Sequence, residues 1–116
     1  MYNNMLSMRQ SLNTMQGSLG GARSGDINAC NAYIGAYNAI LYAGVFYEKV
    51  PGDWENIDLS YFLAFVYSLD RTRPAYLSCV NAGRVDDFNH NLAVQTIDET
   101  LNFLLNPAID AAASKL

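Results

Sequence analysis

The chain has 116 residues, a formal net charge of −4 and seven basic residues that are spread along its length. A chain of this length forms one domain around a single core. The scattered basic residues exclude the clustered positive surface that nucleic-acid binding requires. The longest apolar run, 39–47, is well short of the roughly 20 residues that cross a bilayer, so we expect no membrane insertion by this segment.

The first half of the chain carries two segments in which apolar residues recur at helical spacing. The glycine-rich stretch 17–25 interrupts the first pattern, which predicts a helix over 2–18 and then a loop. Asp26 is a suitable N-cap for a second helix over 26–49. The apolar seam of the first segment consists of Met1, Met5, Met8, Leu12, Met15 and Leu19.

A third helix is predicted over 56–82, with Gly83 after its last residue. Pro74 falls inside this helix and removes a backbone hydrogen bond, which predicts a kink or a break there. The expected core-facing seam of this helix consists of Leu59, Phe62, Val66, Leu69, Arg73, Tyr76 and Val80.

A fourth helix is predicted over 85–105, with Asp86 near its start and a break at 106–107. The short C-terminal tail that follows is expected to be either a short helix or a frayed end. Four amphipathic segments with short connections and no strand pattern favour an all-α fold. We therefore predict an up-down-up-down four-helix bundle that forms a single domain over 1–116.

Cys30 and Cys79 are the two cysteines of the chain, and each lies roughly 25 residues from the turn at 51–55. If the second and third helices form an antiparallel hairpin, the two sulfur atoms lie at the same level. This symmetry predicts a disulfide between the two helices, which would place the domain in an oxidising compartment. The alternative is a pair of buried free thiols.

Arg73 stands where the seam of the third helix calls for an apolar residue. The antiparallel register places tyrosines and a glutamine at the same level on the neighbouring helices. An arginine in such surroundings can bind a carboxylate or another small anion, which predicts a ligand site. The predicted site comprises Arg73, Tyr37, Tyr76, Tyr33 and Gln95. The alternative is an Arg73 side chain that is solvated or paired with Asp70.

The stretch 59–69 of the third helix is apolar on nearly every side. One face of a bundle cannot bury all of these side chains, so part of this surface should meet another chain. We expect a homodimer through this helix, with Tyr61 and Phe65 as contact residues.

Nothing in the sequence indicates catalysis, since it has no nucleophile–base pair, no phosphate-binding loop and no paired catalytic carboxylates. The single histidine, His90, and the absence of a Cys-x-x-Cys pair argue against a metal or haem site. We expect a non-enzymatic protein without cofactor or metal.

The predicted architecture is similar to the helical bundles that serve as extracytoplasmic sensor domains, although many functions share this shape. The leading hypothesis is therefore an extracytoplasmic ligand-binding or sensing module, with a small anionic ligand. The alternative is a protein-interaction or assembly subunit that docks through the aromatic face of the third helix. A cytoplasmic location is the alternative for the compartment.

Overall fold

The structure is a computed structural model that describes residues 1–45 and 54–116. Within these residues the regular structure is helical throughout, and the predicted all-α four-helix bundle is confirmed. The helical elements are α1 (Tyr2–Arg23), α2 (Ile27–Val45), α3 (Glu55–Ala82), α4 (Asp87–Glu99), a π-helical segment (Thr100–Leu105) and α5 (Asn106–Ala113). The last three elements follow one another without a gap and together form the fourth helix of the bundle.

Helices that are consecutive in the chain pack side by side, and the fourth helix returns to contact α1. This arrangement is the one expected of an up-down-up-down bundle. The predicted end of the second helix at residue 49 lies outside the described residues.

The core side of α1 agrees with the predicted seam. The seam residues within α1 are almost completely buried, and Ala22 extends the buried row to the end of the helix, while Met1, which precedes the helix, is only partly buried. The buried seam residues are Met5, Met8, Leu12, Met15 and Leu19.

The first helix is longer than predicted, because α1 continues through the glycine-rich stretch to Arg23 instead of ending near residue 18. Leu19 and Ala22 are buried there, and packing against α2 outweighs the low helix propensity of glycine. Gly21 has a packing role, since a Cβ atom at this position would lie 2.7 Å from the Cβ of Ala29. Glycine therefore lets α1 and α2 approach closely.

The turn between α1 and α2 occupies only a few residues around Gly25. Gly25 has a φ of 85°, in the left-handed region that favours glycine. The amide of Asp26 donates to the carbonyl oxygen of Gly21 at 2.9 Å, and the Asp26 carboxylate accepts from the amide of Asn28 at 2.9 Å. The predicted N-cap of α2 is thus confirmed.

Helix α3 runs through Pro74 without ending, so of the two predicted alternatives the break is wrong, while the kink stays a prediction. Proline cannot donate a hydrogen bond to the carbonyl oxygen of Asp70, one turn earlier. The helix ends as predicted, at Ala82, with Gly83 in the left-handed conformation at a φ of 64°.

The fourth helix does not break at 106–107, so the predicted break is wrong, while the tail is helical, which is one of the two predicted alternatives. The backbone instead widens into the π-helical segment, and Pro107 lies at the start of α5. A π-helical turn is a common way to accommodate an irregularity inside a helix. Ile109 and Ala112 of α5 are buried, so the core holds this end of the chain in a helix.

Candidate functional site

The two cysteines meet in the core, as the symmetric spacing predicts. Cys30 on α2 and Cys79 on α3 form a disulfide with their Cα atoms 5.3 Å apart, and both residues are buried. The bridge connects residues separated by 49 positions in sequence and fixes the antiparallel register of the two helices. This register decides which side chains of α2 and α3 face each other.

Two tyrosines of α2 bind the backbone of α3. The hydroxyl group of Tyr33 donates to the carbonyl oxygen of Thr72 at 2.9 Å, and that of Tyr37 reaches the carbonyl oxygen of Leu69 at 3.5 Å. The ring of Tyr37 also stacks on the ring of Tyr76, with centroids 4.3 Å apart and planes 20° from parallel. The structure therefore brings together three of the tyrosines of the predicted ligand site.

Arg73 does not occupy the core position that the predicted seam gave it. Its side chain is exposed, while its neighbour Thr72 is buried. The Arg73 charge still acts on the hydroxyl group of Tyr37: burial raises the pKa of this tyrosine, and the positive charge partly opposes the rise. Arg73 thus lies beside the Tyr37–Tyr76 pair, at the surface of the bundle.

Gln95, the remaining residue of the predicted site, belongs to a different cluster. Its side chain is exposed and donates to the carboxylate of Glu99 at 2.9 Å. The same carboxylate accepts a hydrogen bond from the hydroxyl group of Tyr67, and the guanidinium of Arg71 lies 4.9 Å from the centre of the Tyr67 ring. This cluster joins α3 to α4 on the side of α3 away from α2.

The predicted seam of α3 is wrong for most of its residues. The face of α3 that enters the core carries mainly small or polar side chains. Its buried residues are Ile57, Tyr61, Ala64, Ser68, Leu69, Thr72, Ala75 and Cys79. The buried hydroxyl groups of this face donate hydrogen bonds to backbone carbonyl oxygens of the same helix, as Thr72 does to the carbonyl oxygen of Ser68 at 2.6 Å. Large side chains of α2, above all Tyr33, fill the space beside this face.

Most of the leucine and valine side chains of α3 lie on the outside instead. They are between 40% and 54% exposed, and together with two exposed charged residues they form one continuous row. We call this row the α3 stripe: Leu59, Leu63, Val66, Asp70, Arg73, Leu77 and Val80. The stripe is the strongest candidate for a functional site, because soluble proteins seldom leave such a row of large apolar residues uncovered.

The α3 stripe adjoins a shallow groove of about 420 Å³ between α3 and the π-helical segment. Leu63, Val66 and Asp70 line the groove from the stripe, and Leu104 lines it from the opposite side. Phe103, next to Leu104, is 75% exposed. The apolar surface therefore extends sideways from α3 onto the π-helical segment.

The two residues predicted as dimer contacts of this helix, Tyr61 and Phe65, are not exposed in the structure. Tyr61 is only 4% exposed and belongs to the core, where burial raises its pKa, so its side chain is not available to a partner. Phe65 is partly buried and packs against the core. The prediction that part of the apolar surface of this helix stays exposed is confirmed, but the exposed residues are not the two predicted contacts.

In comparisons with known proteins, no family model, no curated protein and no solved structure matches this chain. None of the helices in residues 1–45 and 54–116 is long and apolar enough to cross a membrane. The same residues contain no group of three or more His, Cys, Asp or Glu side chains placed to hold a metal ion.

Proposed function

We propose that this protein is a non-enzymatic interaction module that docks onto a protein partner through the α3 stripe. The observation that carries the proposal is the distribution of side chains on α3: most of the residues that face the core are small or polar, while five leucines and valines face outward. Folding alone leaves about half of each outward leucine and valine side chain in contact with water, and that half contributes nothing to the stability of the isolated fold. A partner that covers them supplies the missing burial.

The stripe offers enough apolar surface to support binding. Fully burying a leucine or valine side chain contributes about 1.5–3 kcal/mol, so covering the exposed half of one contributes about 1 kcal/mol. The stripe has such residues on both sides of its charged centre, at Leu63 and Val66 on one side and at Leu77 and Val80 on the other. The charged centre adds specificity, since a partner must place a positive group against Asp70 and a negative group against Arg73.

The buried disulfide supports an extracytoplasmic location for the module. Disulfides form and persist in oxidising compartments and are rare in the cytosol. Cys30 and Cys79 are both buried in the core, where the bridge holds the two helices that carry the tyrosine cluster and the α3 stripe. An extracytoplasmic interaction module is therefore the proposal, in place of a cytoplasmic one.

A ligand-sensing role is the second candidate. It is favoured by one observation, the stacked pair of Tyr37 and Tyr76 with the Arg73 charge beside it. A small carboxylate bound to Arg73 would raise the melting temperature of the protein. The variant Arg73→Ala should abolish that rise while leaving the fold intact, and a rise that survives this substitution would exclude the site.

Site-specific photo-crosslinking in the cells that make the protein tests docking through the α3 stripe. A benzophenone amino acid replaces Leu63 in one variant and Asn13, an exposed residue of α1, in the control variant. We expect a covalent adduct of defined mass from position 63 and none from position 13. Equal labelling at both positions, or none at either, would contradict the proposal.

A further inference from the structure

The α3 stripe has the spacing of a coiled-coil seam. Its residues follow one another at intervals of four, three, four, three, four and three positions. One set recurs every seven residues from Leu59 to Val80, and the other recurs every seven from Leu63 to Leu77. In heptad notation these sets are the d and a positions, which in a coiled coil enter the facing helix. Here both sets lie on the exposed side of α3.

From Leu63 to Val80 the stripe is symmetric in its order, with two apolar residues, two charged residues and two apolar residues. Asp70 and Arg73 stand at its centre, Val66 and Leu77 flank them, and apolar residues follow outward in both directions. A surface with this property can pair with a copy of itself about a two-fold axis, which is the commonest symmetry of protein dimers.

An antiparallel pairing of two α3 stripes matches the six residues from Leu63 to Val80, while Leu59 falls opposite a position beyond the end of α3 at Ala82. With the two-fold axis between Asp70 and Arg73, Asp70 lies opposite Arg73 of the second copy, and Arg73 opposite its Asp70. Val66 then lies opposite Leu77, and Leu63 opposite Val80, so apolar residues meet apolar residues. Each layer pairs an a position with a d position, as adjacent antiparallel helices require.

A parallel pairing fails at the centre of the stripe. It would place Asp70 beside Asp70 and Arg73 beside Arg73, and like charges brought together at an interface oppose association. Among the residues that the structure describes, Arg23 and Asp87 form an ion pair, whereas neither Asp70 nor Arg73 has an ion-pair partner. The central charges are therefore available to a second copy and select the antiparallel orientation.

We propose that the partner of the α3 stripe is a second copy of this chain, bound antiparallel, with Asp70 and Arg73 of each copy paired across the two-fold axis. This inference rests on the proposed docking function and names its partner. The interface is built by α3 alone at its centre and reaches the groove beside Leu104 at its edge.

Charge reversal tests this pairing on the full, oxidised chain. Analytical ultracentrifugation should give twice the chain mass of 12.8 kDa for the unaltered protein. Asp70→Arg alone places four arginines at the centre of the interface, and Arg73→Asp alone places four aspartates there. Each should raise the dimer dissociation constant at least tenfold. Circular dichroism should show the same helix content in both, since both positions are exposed.

Two combinations should restore the dimer. The double variant with Asp70→Arg and Arg73→Asp exchanges the charges and recreates the opposite-charge layers. An equimolar mixture of the two single variants should form a mixed dimer, because one chain then brings two positive and the other two negative charges. The control Asp110→Arg, on the exposed side of α5, changes the net charge equally and should leave the dissociation constant unchanged.

The outcomes separate this inference from the proposed function. A monomeric chain at all concentrations, together with a crosslink from position 63 to a different protein, overturns the second copy as partner and leaves docking through the stripe intact. A monomer without any crosslink at position 63 overturns both. A dimer that tolerates both single charge reversals, or single variants that fail to associate when mixed, overturns the antiparallel pairing.

Discussion

The hydroxyl group of Tyr33 donates a 2.9 Å hydrogen bond to the backbone carbonyl oxygen of Thr72, from α2 to α3. Tyr33 is fully buried, and Thr72 lies two residues before Pro74, in the turn of α3 where proline leaves a backbone acceptor without its helical donor. The bond ties α2 to this turn. Together with the disulfide between Cys30 and Cys79, it holds α3 in the orientation that leaves the α3 stripe facing outward.

Removing this hydroxyl group should lower the stability of the fold. The variant Tyr33→Phe keeps the ring and loses one buried hydrogen bond, which contributes about 1 kcal/mol in a typical protein. Tyr37→Phe is the matched control, because the hydroxyl–carbonyl distance there is 3.5 Å and the bond is weak. Urea denaturation should show a larger fall in the free energy of unfolding for Tyr33→Phe, and equal losses in the two variants would contradict this ranking.

The protein should lose stability in alkaline solution. Burial raises the pKa of the Tyr33 hydroxyl well above that of an ordinary tyrosine, and the hydrogen bond to Thr72 opposes this only in part. Above the ordinary tyrosine pKa of about 10, the unfolded chain releases this proton while the folded chain retains it. The free energy of unfolding should therefore fall as the pH rises beyond that value.

The same alkaline series on Tyr33→Phe isolates the contribution of this residue. The free energy of unfolding of this variant should fall less steeply with pH than that of the unaltered protein. It should still fall, because burial also raises the pKa values of Tyr37 and Tyr61. Identical slopes would show that Tyr33 ionises equally in the folded and unfolded chains.

Loss of the disulfide should cost more than loss of any hydrogen bond. Closing a loop of about 50 residues stabilises a fold by about 4 kcal/mol on the chain-entropy model. The double variant Cys30→Ala and Cys79→Ala should lose a similar amount in urea denaturation. Alkylation of the denatured, unreduced protein should label neither cysteine, and labelling of both would show that the bridge is absent in solution.

The sequence predicted the fold because its local signals and its packing agree for most of the chain. The seam of α1, the cap at Asp26, the end of α3 at Gly83 and the pairing of Cys30 with Cys79 all follow from spacing and turn chemistry. These features depend on residues near one another in sequence, or on an antiparallel register that counting alone can fix.

The side of α3 that faces the core was not predictable from hydrophobic periodicity. The usual rule places the more apolar face inside, and it selected the row containing Val66 and Val80, which lies outside. The bridge at Cys79 and the hydrogen bond from buried Tyr33 to the carbonyl oxygen of Thr72 hold this side of α3 against α2. Cys79 was the available signal, since a helix that forms this disulfide must turn that side inward.

The glycines of α1 provide a matched test of helix packing. Gly21→Ala should destabilise the protein by about 1–3 kcal/mol, because the new Cβ atom would lie 2.7 Å from the Cβ of Ala29 and force the helices apart. Gly20→Ala should stabilise it by about 0.5–1 kcal/mol, because space is open there and alanine favours the helix. Thermal denaturation of both variants measures the difference, and a shift of the same sign in both would contradict the close approach of α1 and α2.

The hydrogen bond from Tyr67 to Glu99 should control the acidity of that carboxyl group. This bond is the main cause that lowers the pKa of Glu99, with a smaller contribution from Gln95. The variant Tyr67→Phe should therefore raise the pKa of Glu99 toward that of an ordinary glutamate, which a carboxyl-carbon NMR titration measures directly. Gln95→Leu, which removes the weaker donor, should raise it by less.

The sign of the accompanying stability change follows from the same shift. A carboxyl group whose pKa is lower in the folded chain stabilises the fold above its unfolded pKa, and this contribution disappears as the pH falls through the folded value. Because Glu99 is solvent-accessible, the effect on stability should be small, and the titration is the decisive measurement. An unchanged Glu99 titration in Tyr67→Phe would show that α3 and α4 are not joined by this bond, and that the groove between Tyr67 and Leu104 has a different shape in solution.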